Sequence, residues 1–412
     1  KYNYLKIKYY YLRVMFSELS KKLTKTIDKK IKKKDGIYFT PPLTVKNILK
    51  HVQPYINNCK EVLEPSCGSC EFVLELHKQH PSITTTAIEL NETIYDNIKH
   101  LSNDNIDILN CDYLNYQTDK KFDLIIGNPP YFVLKKKEVD TKYYDYFDGR
   151  PNIFILFIIK ALSMLASNGI LAFVLPKSFL NCLYYDKTRQ YINKHCKIIK
   201  IIECKENYID TQQDTICLII QNKHTTTNKK FILNKKDYTI FGTPVNIKKL
   251  NCLYTDSKSL SDLGFTVSVG TVVWNQCKAI LTDDESKTRL IYSSDIKNNT
   301  LTIVDYKNPA KKNYINKDGI DRPLLVINRG YGIGEYNFEY CLIEGGFQYL
   351  IENHLICITY NGDIESDTLI GLYKDIINSL NKSTTKQFIK YYFGNAAINT
   401  TEMCHLLPIY GL

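Results

Sequence analysis

Two segments of this sequence place chemically useful groups on unusually stiff backbone. From Asp123 to Lys137 the chain reads DLIIGNPPYFVLKKK, an apolar run feeding straight into Asn128, Pro129, Pro130 and Tyr131. Consecutive prolines fix two φ angles and remove two backbone donors. An amide, a carbonyl and an aromatic ring are thereby held still at a strand end. Upstream, Glu64-Pro65-Ser66-Cys67-Gly68-Ser69-Cys70 is a loop of small residues that lets a ligand approach the backbone closely. Glu89 closes the next apolar run, about 20 residues on, where an acid can accept both hydroxyls of a ribose. Asp112 follows the third run and can accept from an adenine amino group. Taken together these groups describe a nucleoside pocket.

The elements that must carry them alternate. Pro41 to Val52 reads as a helix, begun by a Thr-Pro-Pro first turn. Glu61–Leu63, Thr84–Leu90, Ile106–Leu109 and Phe122–Ile126 read as strands, with helices at Phe72–His80 and Asn91–Leu101 between the first three. Asn152–Leu165 is a long apolar helix, Ile170–Leu175 a strand, Tyr184–His195 a helix, and Ile198–Glu203 and Thr215–Ile220 two more strands. This alternation predicts an α/β fold, a doubly wound and mostly parallel seven-stranded sheet. In such sheets ligands bind beyond the carboxyl ends of strands, which is where the groups above stand. The polar stretch QNKHTTTNKK at 221–230 marks a boundary, dividing a basic N-terminal tail (1–35), a catalytic domain (36–230) and a C-terminal mixed α+β domain (231–412).

The series Thr40-Pro41-Pro42, EPSCGSCEF, AIEL, CDYL and NPPY resembles the S-adenosylmethionine-dependent N6-adenine DNA methyltransferases, in the order of their gamma group. LASNGILAFVLPKSFL (165–180) resembles that group's strand after the catalytic helix. The likeness covers roughly residues 36–222. It implies that Thr40, Glu64, Cys67 and Gly68 hold the methionine part of S-adenosylmethionine, Glu89 the ribose, and Asp112 and Tyr113 the adenine. It further implies that Asn128 and the Pro129 carbonyl accept the two hydrogens of the target amino group, that Tyr131 stacks on the base, and that Tyr208 faces it from the other side. Tyr208 also reads as an ordinary surface tyrosine. Asn152 matches a position near the target base, and also reads as a helix N-cap. The family usually has Gly where this chain has Cys70. If that position needs φ > 0, a Cβ is costly there.

Duplex DNA is the partner this resemblance implies, with the target nucleotide flipped out of the stack. RNA adenine or a protein glutamine amide are the alternative acceptors for the same motif. Lys135 and Lys136 lie beside the motif and can meet phosphates or simply be solvated, and Arg329 can reach a guanine edge or a phosphate. The C-terminal domain loosely resembles target-recognition domains. Glu203-Cys204-Lys205 has the look of a nuclease triplet but follows a core strand without a well-placed upstream Asp, so any cognate restriction endonuclease is expected on a separate chain.

Composition agrees. At 412 residues, 44% hydrophobic and 24% charged, the chain can bury a full core. The net charge of +11 is concentrated: residues 1–35 hold twelve Lys/Arg and three Asp/Glu, leaving +2 on the other 377 residues. Residues 17–34 read as a basic helix or a tail, and the lysines fit a polyanion partner or an AT-rich coding bias. Thirteen scattered cysteines with no Cys/His spacing for a metal read as reduced thiols in an intracellular protein. The most apolar stretch, Ile153–Ile159, is too short to span a bilayer. The chain opens with Lys, and Met15 is a candidate start.

Overall fold

The computed structural model describes residues 16–206, 208–211, 213–223, 228–329, 337–392 and 398–412. The chain forms two compact units that divide between Ile247 and Lys248.

The first unit opens with α1 (Glu18–Thr26) and α2 (Lys29–Asp35), then α3 (Pro42–Ile56). The sheet strands are β1 (Glu61–Glu64), β2 (Thr84–Glu89), β3 (Ile106–Asn110), β4 (Phe122–Gly127), β5 (Leu165–Pro176), β6 (Lys197–Cys204) and β7 (Thr215–Gln221). Between them run α4 (Glu71–Gln79), α5 (Glu92–Ile98), α6 (Ile153–Met164) and α7 (Asp186–His195). The sheet order is β3-β2-β1-β4-β5-β7-β6. All neighbours are parallel except β7, which is antiparallel to both β5 and β6. This is the doubly wound, mostly parallel seven-stranded sheet expected from the alternating pattern.

Side-chain alternation explains the two-sided core. Along β4, Ile125 packs with α6 on one face, while Leu124 and Ile126 pack with Val45, Ile48 and Leu49 of α3 on the other. Strands buried on both faces need apolar residues at every position, which is why these segments are unbroken apolar runs. Helix α6 buries nine of its twelve side chains, as a helix apolar all round must.

Two differences from the sequence reading stand out. Residues 17–35 take the helical of the two readings, and they are packed rather than loose: Ser20, Leu23, Ile27 and Lys32 are buried against the unit. Leu23 and Ile27 join a cluster with Cys70, Val73 and Ile94, so an amphipathic stripe hidden among lysines does the packing. The polar stretch at 221–230 is also not where the units part. The hairpin that follows, Ile232–Lys235 with Tyr238–Phe241, returns to the first unit. There Arg189, fully buried, donates to the Thr239 carbonyl at 2.5 Å and to the Phe179 and Cys182 carbonyls at 2.9 and 2.8 Å.

The second unit holds a four-stranded antiparallel sheet of Phe265–Val269, Leu355–Tyr360, Leu324–Asn328 and Tyr340–Ile343, in that order. A smaller mixed sheet and helices at Ser366–Asn381, Ser383–Tyr392 and Thr400–His405 accompany it. No described helix is long and apolar enough to cross a membrane.

Candidate active site

The carboxyl ends of β1, β2, β3 and β4 converge on a pocket of about 340 Å³. Its walls include Gly68, Glu89, Asp112, Tyr113, Asn128 and Pro130, contributed by four different strand ends. Residues 64 to 131 are thus brought together by strand order alone, because β2, β1 and β4 are adjacent.

The loop after β1 is tightly held. Cys67 N–H donates to the Ile88 carbonyl at 2.8 Å, and Cys70 N–H to the Cys67 carbonyl at 2.7 Å. Gly68 N–H donates to Glu89 Oε2 at 2.9 Å, and Asn91 N–H to Glu89 Oε1 at 2.8 Å. Glu89 is buried, and desolvation raises its carboxyl to about 7 despite these backbone donors. Glu64 is more deeply buried. One of its oxygens, Oε2, has no hydrogen-bond partner among the described residues, and desolvation holds its carboxyl well above the usual range. A buried carboxylate oxygen with no partner is costly unless a cation or donor arrives. On the wall itself Glu89 and Asp112 offer acceptors of the kind the ribose hydroxyls and adenine amino group of S-adenosylmethionine would need, so the residues lining the pocket fit the cofactor. Asp112 accepts from Leu114 N–H at 2.9 Å and Asn115 Nδ2 at 2.8 Å, which fixes it at the pocket wall. Tyr113 packs its ring 4.8 Å from Phe157, with Lys160 Nζ 5.1 Å above its centroid.

Cys70 sits at φ 60°, ψ 27°, in the left-handed region. The concern raised by the sequence is real: a residue with a Cβ occupies a conformation that glycine adopts freely. Its thiol is fully buried beside Cys67.

At the end of β4, Asn128 is held on three sides. Its Nδ2 donates to the Tyr38 carbonyl at 3.1 Å, and its own carbonyl accepts from Ser66 Oγ at 3.1 Å. Its Oδ1 lies 2.6 Å from the Tyr131 hydroxyl. The buried Pro129 carbonyl receives no hydrogen bond from the described residues.

Several expected site residues fall elsewhere. The Tyr131 ring, expected as a stacking face, does not line the pocket. It packs edge-on against Phe154 at 6.0 Å, and its hydroxyl is tied to Asn128 and to the Val174 carbonyl at 2.8 Å. Phe132, next in sequence, lines the pocket instead. Tyr208 is no surface tyrosine: it is 5% exposed and lines a small crevice with Thr24, Tyr38 and Phe39. Burial, with Tyr208 nearby, raises the Tyr131 phenol well above its ordinary range. Asn152 occupies the N-cap position of α6, yet its side chain makes no capping bond, and its buried Oδ1 has no partner among the described residues. Thr40, Glu64 and Cys67 are buried behind the pocket wall rather than on it. Lys135 and Lys136 are exposed; Lys136 lies 4.7 Å over the Tyr144 ring. Arg329 is exposed at the end of Leu324–Asn328 in the second unit, and most of the segment after it, 330–336, lies outside the described residues. Among the described residues no group of three His, Cys, Asp or Glu side chains could hold a metal ion.

The sequence reading missed the wall built by residues 35–39. Gly36 takes φ +67°, and a Cβ there would stand 2.7 Å from the Tyr131 nitrogen. Phe39 lies 3.4 Å from where a Cβ on Gly68 would be. The lone Gly36 between a lysine run and Thr40 was the available signal.

Residues 59–209 match the Eco57I restriction-modification methylase family. Over 353 residues the chain is 27% identical to the Type II methyltransferase M.CvrRI of Paramecium bursaria Chlorella virus XZ-6E, covering 84% of this chain and 88% of that one. Over 404 residues it is also 27% identical to the modification methylase CviBIII of Paramecium bursaria Chlorella virus NC1A, covering 96% and 99%. Among solved structures, the DrdV–DNA complex shares the fold with a TM-score of 0.54 at 13% identity, over 95% of this chain and 57% of that one. The chain is thus similar to Type II methyltransferases over most of its length, and these likenesses support an S-adenosylmethionine-dependent DNA methyltransferase.

Proposed function

We propose that the chain methylates the N6 amino nitrogen of an adenine flipped out of duplex DNA. The observation that carries this is Asn128: its amide is oriented by the Tyr38 carbonyl, and beside it the Pro129 carbonyl has no donor of its own among the described residues. An exocyclic amino nitrogen is a poor nucleophile because its lone pair is delocalised into the ring. Two acceptors on its two N–H bonds draw it towards sp³ geometry and expose that lone pair. Bound S-adenosylmethionine supplies the electrophilic methyl group. The chain's own contribution is positioning and preorganised dipoles: the prolines hold the acceptors, and Phe132, Ile153 and Phe157 give an apolar wall that excludes water.

On this reading Glu64 backs the methionine part of the cofactor, Glu89 takes its ribose hydroxyls and Asp112 its adenine amino group. Thr40, Cys67, Gly68 and Tyr113 shape the surface around it. Tyr131 and Tyr208 become the faces of the base sandwich once Tyr131 leaves Asn128, and Asn152 meets the base or its sugar, a role its buried oxygen without a partner among the described residues supports. The second unit reads the target sequence, with Arg329 among its contacts, and a cognate endonuclease is a separate chain.

The test is incubation with tritiated S-adenosylmethionine and AT-rich DNA lacking adenine methylation, beside an Asn128→Ala variant. N6-methyladenine that the variant does not make supports the reading. Label on RNA or on a protein amide, with none on DNA, overturns it.

A further inference from the structure

Residues 17–35 carry eight lysines and three acids, yet the segment is a fixed part of the catalytic unit rather than a floating charge. Ser20 Oγ lies 2.8 Å from Ser69 Oγ and donates to Glu71 at 2.6 Å, so α1 is pinned to the small-residue loop of the pocket. Lys32, buried in α2, donates to Asp210 at 2.5 Å and to the Thr24 carbonyl at 2.7 Å. The buried face is thus satisfied by Leu23, Ile27 and these bonds.

What packing leaves over is a second face of one sign. Lys25, Lys29, Lys30, Lys33 and Lys34 are exposed, and among the described residues none has an ion-pair partner. The nearby acids are committed: Glu18 pairs with Lys21, Asp28 caps the Lys30 N–H, and Asp35 lines the pocket. Part of this arrangement is unfavourable for α2 itself, although Lys33 and Lys34 suit its last turn. Lys29 and Lys33, and Lys30 and Lys34, are like charges at i,i+4 on α2. Lys29 and Lys30 also sit in its first turn, against the helix dipole. A solvated face would be served as well by uncharged polar residues.

Position supplies the partner. Helix α2 runs directly into Gly36–Phe39, which line the pocket. At about 1.5 Å rise per residue, its lysines lie within roughly 10 Å of that wall. The phosphates flanking a nucleotide seated in the pocket fall at such distances, since successive base pairs are spaced about 3.4 Å along the axis.

We propose that the exposed lysines of α1 and α2 form a phosphate-contacting surface that grips the DNA duplex beside the catalytic pocket. The proposal rests on the DNA-methyltransferase reading and adds where the backbone is held. The contact is sequence-independent and works through counterion release.

The test compares the full chain with a Lys29→Gln/Lys30→Gln/Lys33→Gln variant. Affinity for a double-stranded oligonucleotide is measured by fluorescence anisotropy between 50 and 300 mM salt. The slope of log K against log salt is expected to become shallower by about 2–3, at roughly 0.9 per lost contact. Affinity at low salt is expected to fall roughly 10- to 100-fold. Calorimetric binding of S-adenosylmethionine and the melting temperature should be unchanged, which separates a lost contact from a lost fold. A wild type that methylates DNA, with the variant's slope and affinity equal to it, overturns the lysine surface alone. A wild type that binds no DNA overturns both this proposal and the reading beneath it.

Discussion

The Tyr131 hydroxyl lies 2.6 Å from Asn128 Oδ1 and 2.8 Å from the Val174 carbonyl, and it has one proton for two acceptors. The Tyr38 carbonyl fixes which end of the Asn128 amide faces Tyr131, because only Nδ2 can donate to it. On the proposed reading Tyr131 covers the oxygen that the target amino group would need, in a state where its ring is not presented to the pocket.

Tyr131→Phe removes the cover but keeps the ring. With Tyr38 still orienting Asn128, kcat should stay within about threefold and the KM for DNA should fall. Tyr131→Ala loses the ring as well, and kcat should drop on the order of 100-fold, the size of a lost positioning element. Steady-state kinetics on a methylatable duplex checks both. A 100-fold loss in the Phe variant would mean that the hydroxyl acts in the reaction.

Gly36→Ala places a Cβ 2.7 Å from the Tyr131 nitrogen, on a residue at φ +67°. Backbone cannot yield as a side-chain tip can. The variant should lose about 2 kcal/mol of stability and most of its transfer activity, because the strain falls on the loop that carries Asn128. Denaturant unfolding beside a transfer assay measures the two effects together.

At Cys70 the usual ranking of residues should invert. Cys70→Ala and Cys70→Gly both lose the buried sulfur, but only glycine relieves the left-handed backbone. The Gly variant should be more stable than the Ala variant by about 1 kcal/mol, whereas glycine is ordinarily the worse residue at a helix. It should also bind S-adenosylmethionine at least as tightly as the native chain. Equal melting temperatures for the two variants would show that the strain is absent.

Glu89 sets a pH dependence. Its folded carboxyl titrates near 7 against a usual value of 4.5. Between those values the folded state holds a proton that the unfolded state has lost, so stability falls as pH rises through the window. Glu89→Gln should flatten that slope, by roughly 1–3 kcal/mol at pH 8. In the proposed ribose role the ionised form of Glu89 is the better acceptor, so native affinity for S-adenosylmethionine should weaken several-fold from pH 8 to pH 6. Calorimetry across that range, with unfolding on the same samples, separates the two. A flat binding profile would remove Glu89 from the ribose role.

Local patterning determined the sheet of this protein. Largely apolar runs of three to seven residues, most of them followed by a small residue, an acid or an amide, set strand positions, and α/β alternation set the parallel order, because crossover connections allow little else. The loop after β1, Glu89, Asp112 and the Asn-Pro-Pro-Tyr segment were legible for the same reason: each directly follows its strand. Only the tertiary structure decided which side chain at those ends faces the pocket. Tyr131 turned inward and Phe132 outward because a hydroxyl bond to Val174, distant in sequence, holds the ring. Residues 17–34 read from sequence as a basic helix or a tail with no packing face, since their few apolar side chains are sparse among lysines. Their packing on Ser69 and Cys70, and that of Gly36 on Tyr131, joins segments 50 to 100 residues apart, and no local pattern encodes contacts of that range.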